Sequence, residues 1–302
     1  MGHVSLRIVV AAATSGALLE AQARLLRKYV AEPFDLLVVN DASPQEHFSN
    51  NWRRGVSAEI RTAAHRVGAR HIRCPRLFHY YRERIFPDVP DRFSRFNNAN
   101  TRCADAVQLG VSYLLREGDG PILLMDADMV PFKAFSSSEF LAGAPIWGVP
   151  QTRENAVQYL WNGIILFDPG QMNEMSLFSL DCGEIDGQPV DVGGMLYRIL
   201  RRNKVGYFET QPAANPDCYP SLIRTVPDPV REFMLWDRSV AQGLRVHRDD
   251  ESEHILESAR FRMSEVIIDT FFHLGSGANW EVREAEQARQ RLDKFIEAAA
   301  AL

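Results

Sequence analysis

The sequence predicts an α/β fold in which a mostly parallel central sheet is flanked by helices. Residues 6–13, which are apolar apart from Arg7, and residues 36–39 are runs of strand length, and a helical pattern of apolar residues lies between them. A strand, a helix and a second strand within about forty residues form a unit with parallel strands and a right-handed crossover. A third apolar run, residues 121–125, leads into Asp126-Ala127-Asp128 and predicts another buried strand.

The other elements follow from apolar spacing and from the positions of glycine and proline. Helices are predicted at 17–30, 53–68, 97–115, from 136 onward, at 195–200 and at 281–302, and strands at 145–150, 159–168 and 267–272. The proline-rich segment 211–229 is predicted as a loop. Residues 73–96 mix arginines, aromatics and prolines without periodicity, so this segment is either a binding loop or a solvated connection whose aromatic side chains pack inward.

Composition places the chain among ordinary globular proteins. It has 302 residues, of which 46% are hydrophobic and 24% are charged. The net charge of −5 argues against general nucleic-acid binding, which needs an excess of cations to neutralise phosphates. The N-terminal apolar run is too short for a signal sequence, and no stretch approaches the roughly 20 apolar residues that span a bilayer. We therefore expect a cytoplasmic protein without a transmembrane segment, and peripheral membrane contact stays open.

The carboxyl ends of the predicted strands carry the polar residues of interest. Ala12, Ala13 and Thr14 end the first strand, and Asp41 follows the second. Ligands of such sheets bind beyond the carboxyl ends of the strands, so these residues are candidates for nucleotide contacts. Asp41 is interpreted either as an acceptor for a nucleobase or ribose or as the ordinary polar residue of a turn.

Asp126 and Asp128 predict a metal site. Residues i and i+2 of an extended segment point to the same side, so the two carboxylates can converge on one cation, with Ala127 between them. Two ionised side chains at the end of a buried strand destabilise the fold unless a positively charged group or a cation lies next to them. Carboxylate oxygens are hard ligands that suit Mg²⁺ or Mn²⁺.

The helix at 97–115 leads into this strand, and its first turn is expected to face the ligand. Backbone N–H groups at a helix N-terminus favour anions. Arg95, Asn98 and Arg102 are therefore candidates for contacts to a diphosphate or nucleotide, and ordinary surface side chains are the alternative.

His273 and Asp191 complete the set of candidates. His273 follows a predicted strand and precedes Gly275 and Gly277, which suits a turn wrapped on a ligand. A neutral imidazole is a sound third ligand for a manganese-like ion, although a lone histidine is more often a polar surface residue. Asp191 stands before the helix at 195–200, where a helix N-cap is the plain interpretation.

In the order and spacing of these parts the chain resembles the A-type (GT-A) glycosyltransferases, which transfer sugars from nucleotide-diphospho-sugars. Residues 6–43 resemble their base-binding first half, and Asp126-Ala127-Asp128 resembles their metal-binding D-x-D motif. Asn162 and Gly163, within 161–166, resemble the N-x-G strand of the glycogenin-like retaining branch, with one residue fewer between Asn and Gly. The resemblance extends over residues 6–280. The part of this branch that carries a metal-binding histidine, glycines and a tryptophan corresponds here to His273, Gly275, Gly277, Asn279 and Trp280.

This resemblance implies a Rossmann-like sheet, a smaller mixed sheet on the acceptor side and a C-terminal helix. It implies one domain, with a nucleotide-binding half at about 6–130, an acceptor and metal half at 131–280 and the helix at 281–302. The implied activity is transfer of a sugar from a nucleoside-diphosphate sugar, with a UDP-sugar favoured, to a hydroxyl of a glycan, lipid-linked or protein acceptor. The implied metal is Mn²⁺ or Mg²⁺, held by Asp126, Asp128 and His273.

Two matters stay open at this point. Retaining or inverting chemistry is undecided: Asp191 is the candidate base in an inverting enzyme and a binder of sugar hydroxyls in a retaining one. The C-terminal helix has an apolar face that docks either on the core or on a second subunit in a homodimer.

Two other functions compete with the transferase. The haloacid-dehalogenase-like phosphatases also place D-x-D after an apolar strand, but a complete strand–helix–strand unit precedes the motif here. The third candidate is a nucleotide-sugar-binding protein with an inactive site.

Overall fold

The computed structural model of the chain describes residues 5–13, 15–42, 55–75, 99–152, 157–212, 226–245, 265–267, 270–274 and 285–302. Most of the arginine- and aromatic-rich segment 73–96 lies outside these ranges. The same holds for seven of the predicted site residues: Thr14, Arg95, Asn98, Gly275, Gly277, Asn279 and Trp280.

A seven-stranded sheet forms the centre of the fold, in the order β10-β6-β7-β4-β1-β2-β3. Its neighbours pair in parallel except at β7, which is antiparallel to both β4 and β6. The mostly parallel central sheet predicted from sequence is therefore confirmed. Its strands are β1 (Leu6–Ala12), β2 (Phe34–Asn40), β3 (Arg70–Arg73), β4 (Ile122–Asp126), β6 (Ile146–Thr152), β7 (Gln158–Phe167) and β10 (Val205–Tyr207).

Helices cover both faces of the sheet. Helices α1 (Gly16–Tyr29) and α2 (Val56–Arg66) pack on one face, and α3 (Ala99–Leu115) packs on the other. Strand β1 packs against the helices on both faces of the sheet, because its successive side chains point to opposite faces. Ile8 belongs to the core beneath α1 and α2, and Val9 belongs to the core beneath α3. A Cβ at Gly110 of α3 would overlap the Val9 side chain, so this helix approaches the sheet more closely than a larger residue allows.

A second sheet of four strands lies beyond the end of β4, in the order β11-β12-β13-β5. All of its pairs are antiparallel, whereas the sequence predicted a mixed sheet. The single strand predicted at 267–272 is wrong, because this run holds the last residue of β12 and the first two residues of β13, which pair antiparallel. The strands are β5 (Met129–Pro131), β11 (Thr210–Pro212), β12 (Glu265–Ile267) and β13 (Phe271–His273).

The C-terminal helix packs within the chain. Helix α7 (Ala285–Ala301) lies against α1 and against α6 (Asp228–Arg245), which begins inside the segment predicted as a loop. The α7 side chains Leu292, Phe295 and Ala299 are all at most 5% exposed in this contact. The apolar face is therefore covered by the chain's own core, which removes the reason for predicting a dimer through this helix.

Smaller elements lie in the connections between these strands. They are α4 (Ser137–Leu141), α5 (Tyr197–Leu200), the hairpin of β8 (Gly183–Ile185) and β9 (Gln188–Val190), and 3₁₀ turns at Pro169–Gln171, Met175–Leu177 and Gly194–Leu196. Within the described ranges, no helix combines the length and the apolar character needed to cross a bilayer.

Candidate functional site

Strand β4 carries Asp126 to the carboxyl edge of the central sheet. Its residues from Ile122 to Met125 are fully buried between the two helical layers, as expected for an interior strand. A two-residue turn, Ala127 and Asp128, follows, and the chain then enters β5 of the second sheet. Asp128 is only 5% exposed, Asp126 is partly buried, and the turn that carries Asp128 joins the two sheets.

His273 reaches the same junction from the second sheet. It is the last residue of β13 and lies opposite Met129 of β5. The backbone N–H of Leu274 donates to the carbonyl oxygen of Asp128 at 2.9 Å, which fixes the end of β13 against the turn. The Nε2 atom of His273 is 3.4 Å from Oδ1 of Asp128.

The three predicted metal ligands therefore converge. One carboxylate oxygen from each of Asp126 and Asp128 and one imidazole nitrogen of His273 all lie within 4.8 Å of one another. Two carboxylates and an imidazole match the ligand preferences of Mn²⁺ and similar divalent ions. The geometry fits a metal ion, and metal binding itself stays a prediction.

The electrostatics of the cluster also favour a cation. Burial raises the pKa of Asp126 from 3.8 to about 7; the charge of Asp128, and to a smaller extent that of Asp191, raise it as well, while His273 lowers it. Three carboxyl groups and a single imidazole thus interact here, and the Asp128 and His273 side chains are buried. A divalent ion among them would relieve this repulsion.

Strand β7 supplies the packing that supports His273. The ring of Trp161 contacts the imidazole edge to face, with 4.8 Å between the ring centroids. A Cβ at Gly163 would overlap the Trp161 indole, so only glycine leaves room for the ring in this position. The pairing of β6 with β7 shifts register opposite residues 162–164, which confirms the irregularity predicted at Asn162 and Gly163.

Asp191 lies close enough to the metal-ligand cluster for its charge to raise the pKa of Asp126. Its Oδ1 atom accepts a hydrogen bond from the N–H of Val192 at 2.8 Å, and its own N–H donates to the Tyr159 hydroxyl at 3.3 Å. The 3₁₀ turn that follows begins after Gly193, which has φ +87° and lies directly against the carbonyl of Leu160. The plain N-cap interpretation of Asp191 is therefore wrong.

Asp41 and Arg102, both predicted to contact a nucleotide, bind each other. The Nη2 atom of Arg102 donates to the backbone oxygen of Asp41 at 2.6 Å and to its Oδ2 at 2.8 Å. Both side chains are almost buried, with exposures of 12% and 10%. The N–H of Asp41 donates to the carbonyl of Ala12, so the pair lies across the adjacent ends of β1 and β2, next to Ala13.

Sequence reasoning did not assign a role to several residues of this region. Gln22 of α1 is fully buried, and its side-chain amide donates to the turn between β4 and β5. Its signal was a polar residue within the buried apolar stripe of a helix. Cys103 accepts a hydrogen bond from the Asn162 amide at 3.6 Å. Burial and the nearby acidic groups, Asp126 first, raise the pKa of this thiol well above its ordinary value, so it stays protonated.

No protein-family model matches the sequence, and comparison with curated proteins finds no match. Among solved structures, the chain is similar to the mannosyltransferase PcManGT from Pyrobaculum calidifontis in complex with GDP-Man and Mn²⁺ (13% identity, 98% of this chain and 74% of that chain, TM-score 0.41). It is similar to the galactosyltransferase LgtC in complex with donor and acceptor sugar analogs (13% identity, 98% of this chain and 96% of that chain, TM-score 0.41). It is also similar to glucosyl-3-phosphoglycerate synthase from Mycobacterium tuberculosis, in complex with Mn²⁺, UDP and glucosyl-3-phosphoglycerate (14% identity, 68% of this chain and 69% of that chain, TM-score 0.35). Likenesses this weak do not assign the chain to a family, and no residue role is carried over from them.

Proposed function

We propose that the chain is a metal-dependent glycosyltransferase, which moves a sugar from a nucleoside-diphosphate sugar to a hydroxyl acceptor. The observation that carries this proposal is the convergence of Asp126, Asp128 and His273 within 4.8 Å at the carboxyl edge of the sheet. Ligands of α/β sheets bind at this edge. The order of motifs in the sequence supports the same activity and favours a UDP-sugar as the donor.

The carboxylates of Asp126 and Asp128 and the imidazole of His273 would hold the ion. When bound, it supplies Lewis-acid stabilisation of the negative charge on the departing nucleoside diphosphate. The chain's own part is to hold these ligands in a fixed and water-poor position. Trp161 contributes by packing against the imidazole of His273, and Gly163 leaves room for that ring.

The neighbouring residues contact the nucleotide and the reacting sugar. The Asp41–Arg102 pair forms the nucleotide-facing wall at the ends of β1 and β2, with Arg102 fixing the orientation of the Asp41 carboxylate. Asp191, whose charge raises the pKa of Asp126, contacts the reacting sugar. In an inverting reaction its carboxylate accepts the proton of the acceptor hydroxyl, and in a retaining reaction it binds sugar hydroxyls.

Thermal unfolding with Mn²⁺ and a panel of nucleoside diphosphates and nucleotide sugars tests the proposal. A ligand that binds only the folded state stabilises it by about 2.7 kcal/mol at a concentration of 100 times its Kd. We expect stabilisation that requires both Mn²⁺ and a nucleotide, and we expect Asp126→Asn and Asp128→Asn to abolish it. Asp119→Asn is the matched control, because it removes an exposed carboxylate before the opposite end of β4.

Other outcomes favour the competing functions. Hydrolysis of phosphate esters that depends on Asp126, without any nucleotide-sugar affinity, would establish a phosphatase and overturn the proposal. Metal-dependent nucleotide-sugar binding, with neither transfer to any acceptor nor hydrolysis of the donor, would favour an inactive binding protein.

A further inference from the structure

We propose that Gln22 is a positioning residue that sets the separation of the Asp126 and Asp128 carboxylates. Gln22 lies in the middle of α1, on the stripe of the helix that faces the core. Its side chain is fully buried, and it spans from the helix to the turn that joins β4 to β5. It belongs to neither sheet and is not one of the three candidate ligands.

The side-chain amide of Gln22 holds both ends of that turn. Its Nε2 atom donates to the carbonyl oxygen of Asp126 at 2.7 Å and to the carbonyl oxygen of Met129 at 2.7 Å. Each of the two amide hydrogens therefore has its own acceptor. Ala127 and Asp128 are the two residues between these fixed points.

The orientation of the amide follows from its partners. Both neighbouring groups are carbonyl oxygens, which accept and cannot donate hydrogen bonds. A rotated amide would place Oε1 against two acceptors at hydrogen-bond distance, so only the Nε2 position is consistent with them. Within the described residues, Oε1 of Gln22 has no hydrogen-bond partner, so both of the bonds made by this amide hold the turn.

A third bond holds the same turn from the opposite side. The N–H of Leu274 donates to the carbonyl oxygen of Asp128 at 2.9 Å, and Leu274 directly follows His273. The turn is thus fixed by α1 at its two ends and by β13 at its middle. Removing the Gln22 amide leaves the two ends of the turn without their hydrogen bonds to α1, while its middle stays bonded to Leu274. The separation of the two carboxylates is then no longer fixed.

This inference rests on the metal site of the proposed function. A plain alternative is that Gln22 only satisfies two buried carbonyls, in which case its loss lowers the stability of the fold without a specific effect on metal binding. The two possibilities differ in whether metal affinity falls by more than a general loss of stability explains.

Calorimetric titration of the whole chain with Mn²⁺ alone, together with its melting temperature without metal, distinguishes a positioning role of Gln22 from a purely structural one. Gln22→Met keeps the approximate volume and removes both donors, and Gln22→Asn keeps the amide on a shorter side chain. Leu26→Ala is the matched control, since this buried residue lies one turn further along the same helix. Residues that orient metal ligands typically change the affinity by about 10-fold to 100-fold when they are replaced.

We expect Gln22→Met to raise the Kd for Mn²⁺ by about 10-fold or more, Gln22→Asn to raise it less, and Leu26→Ala to leave it within about twofold. Wild-type affinity in both Gln22 variants would overturn the inference and leave the proposed metal site standing. Equal losses of affinity in Leu26→Ala and Gln22→Met would overturn it as well, because stability alone would then explain the effect. An absence of Mn²⁺ binding by the wild type would remove the proposed function together with this inference.

Discussion

Replacing Asp126 by asparagine should stabilise the metal-free protein while abolishing its response to metal. The pKa of Asp126 is raised to about 7 from an ordinary value of 3.8, primarily by burial. Each pH unit of such a difference corresponds to 1.36 kcal/mol, so ionising this carboxyl in the folded protein costs about 4 kcal/mol relative to the unfolded chain. Asparagine keeps the shape of the side chain and carries no charge to be buried.

The stabilisation of the metal-free protein by Asp126→Asn should increase as the pH rises. Between pH 3.8 and about 7 the folded state holds the Asp126 proton more tightly than the unfolded chain does. The stability contributed by that proton is therefore complete below pH 3.8 and is lost as the pH rises through about 7. The advantage of Asp126→Asn over the wild type should approach about 4 kcal/mol near pH 8 and should largely disappear near pH 4.

Urea unfolding of both proteins in the presence of a chelator, at several pH values, measures this difference. Asp119→Asn serves as the control, because it makes the same chemical change at an exposed position and should alter stability little at any pH. A wild type that is more stable than Asp126→Asn near pH 8 without metal would refute the reasoning. It would mean that Asp126 is stabilised in its ionised form by the protein itself, so that no cation is needed there.

Three further predictions test the surroundings of the cluster. His273→Gln should weaken Mn²⁺ binding by at least about tenfold, or 1.4 kcal/mol, in a calorimetric titration, and unchanged affinity would exclude His273 as a ligand. Gly163→Ala should displace the Trp161 ring and destabilise the fold by about 1–3 kcal/mol, with a shift in tryptophan fluorescence; an unchanged spectrum and melting temperature would contradict the packing described for it. Tyr159→Phe should cost about 1 kcal/mol of stability and lower turnover through Asp191 while Mn²⁺ affinity stays the same, whereas a loss of affinity would place Tyr159 in the metal site.

The sequence predicted the features that depend on local pattern. Apolar runs marked β1, β2 and β4, and the strand–helix–strand unit predicted the parallel pairing of β1 with β2. The i and i+2 spacing of Asp126 and Asp128 predicted that the two carboxylates lie together, and the structure brings His273 to them from the far end of the chain. The strand predictions succeeded because strand periodicity needs no knowledge of distant partners. The two carboxylates do converge, but Asp128 lies in a turn after β4 and not in the extended segment that the sequence argument assumed.

Features that depend on tertiary partners could not be predicted in the same way. The antiparallel pairing of β12 with β13 could not be predicted from residues 267–272, because this run contains only Ile267 of β12 and Phe271 and Phe272 of β13. The mutual binding of Asp41 and Arg102 requires α3 to lie beside the end of β2, which is a property of helix packing rather than of either segment. Gln22 acts through two carbonyl oxygens, and a backbone acceptor leaves no signature in a sequence.

The central claim is that one divalent ion binds to Asp126, Asp128 and His273 and thereby holds the diphosphate of the donor. Anomalous X-ray diffraction from crystals grown with Mn²⁺ and UDP tests it most directly, because the manganese signal locates the ion independently of the protein density. We expect one strong peak within coordination distance of all three side chains and in contact with the diphosphate oxygens. A manganese peak elsewhere, or none at this cluster at saturating Mn²⁺, would contradict it.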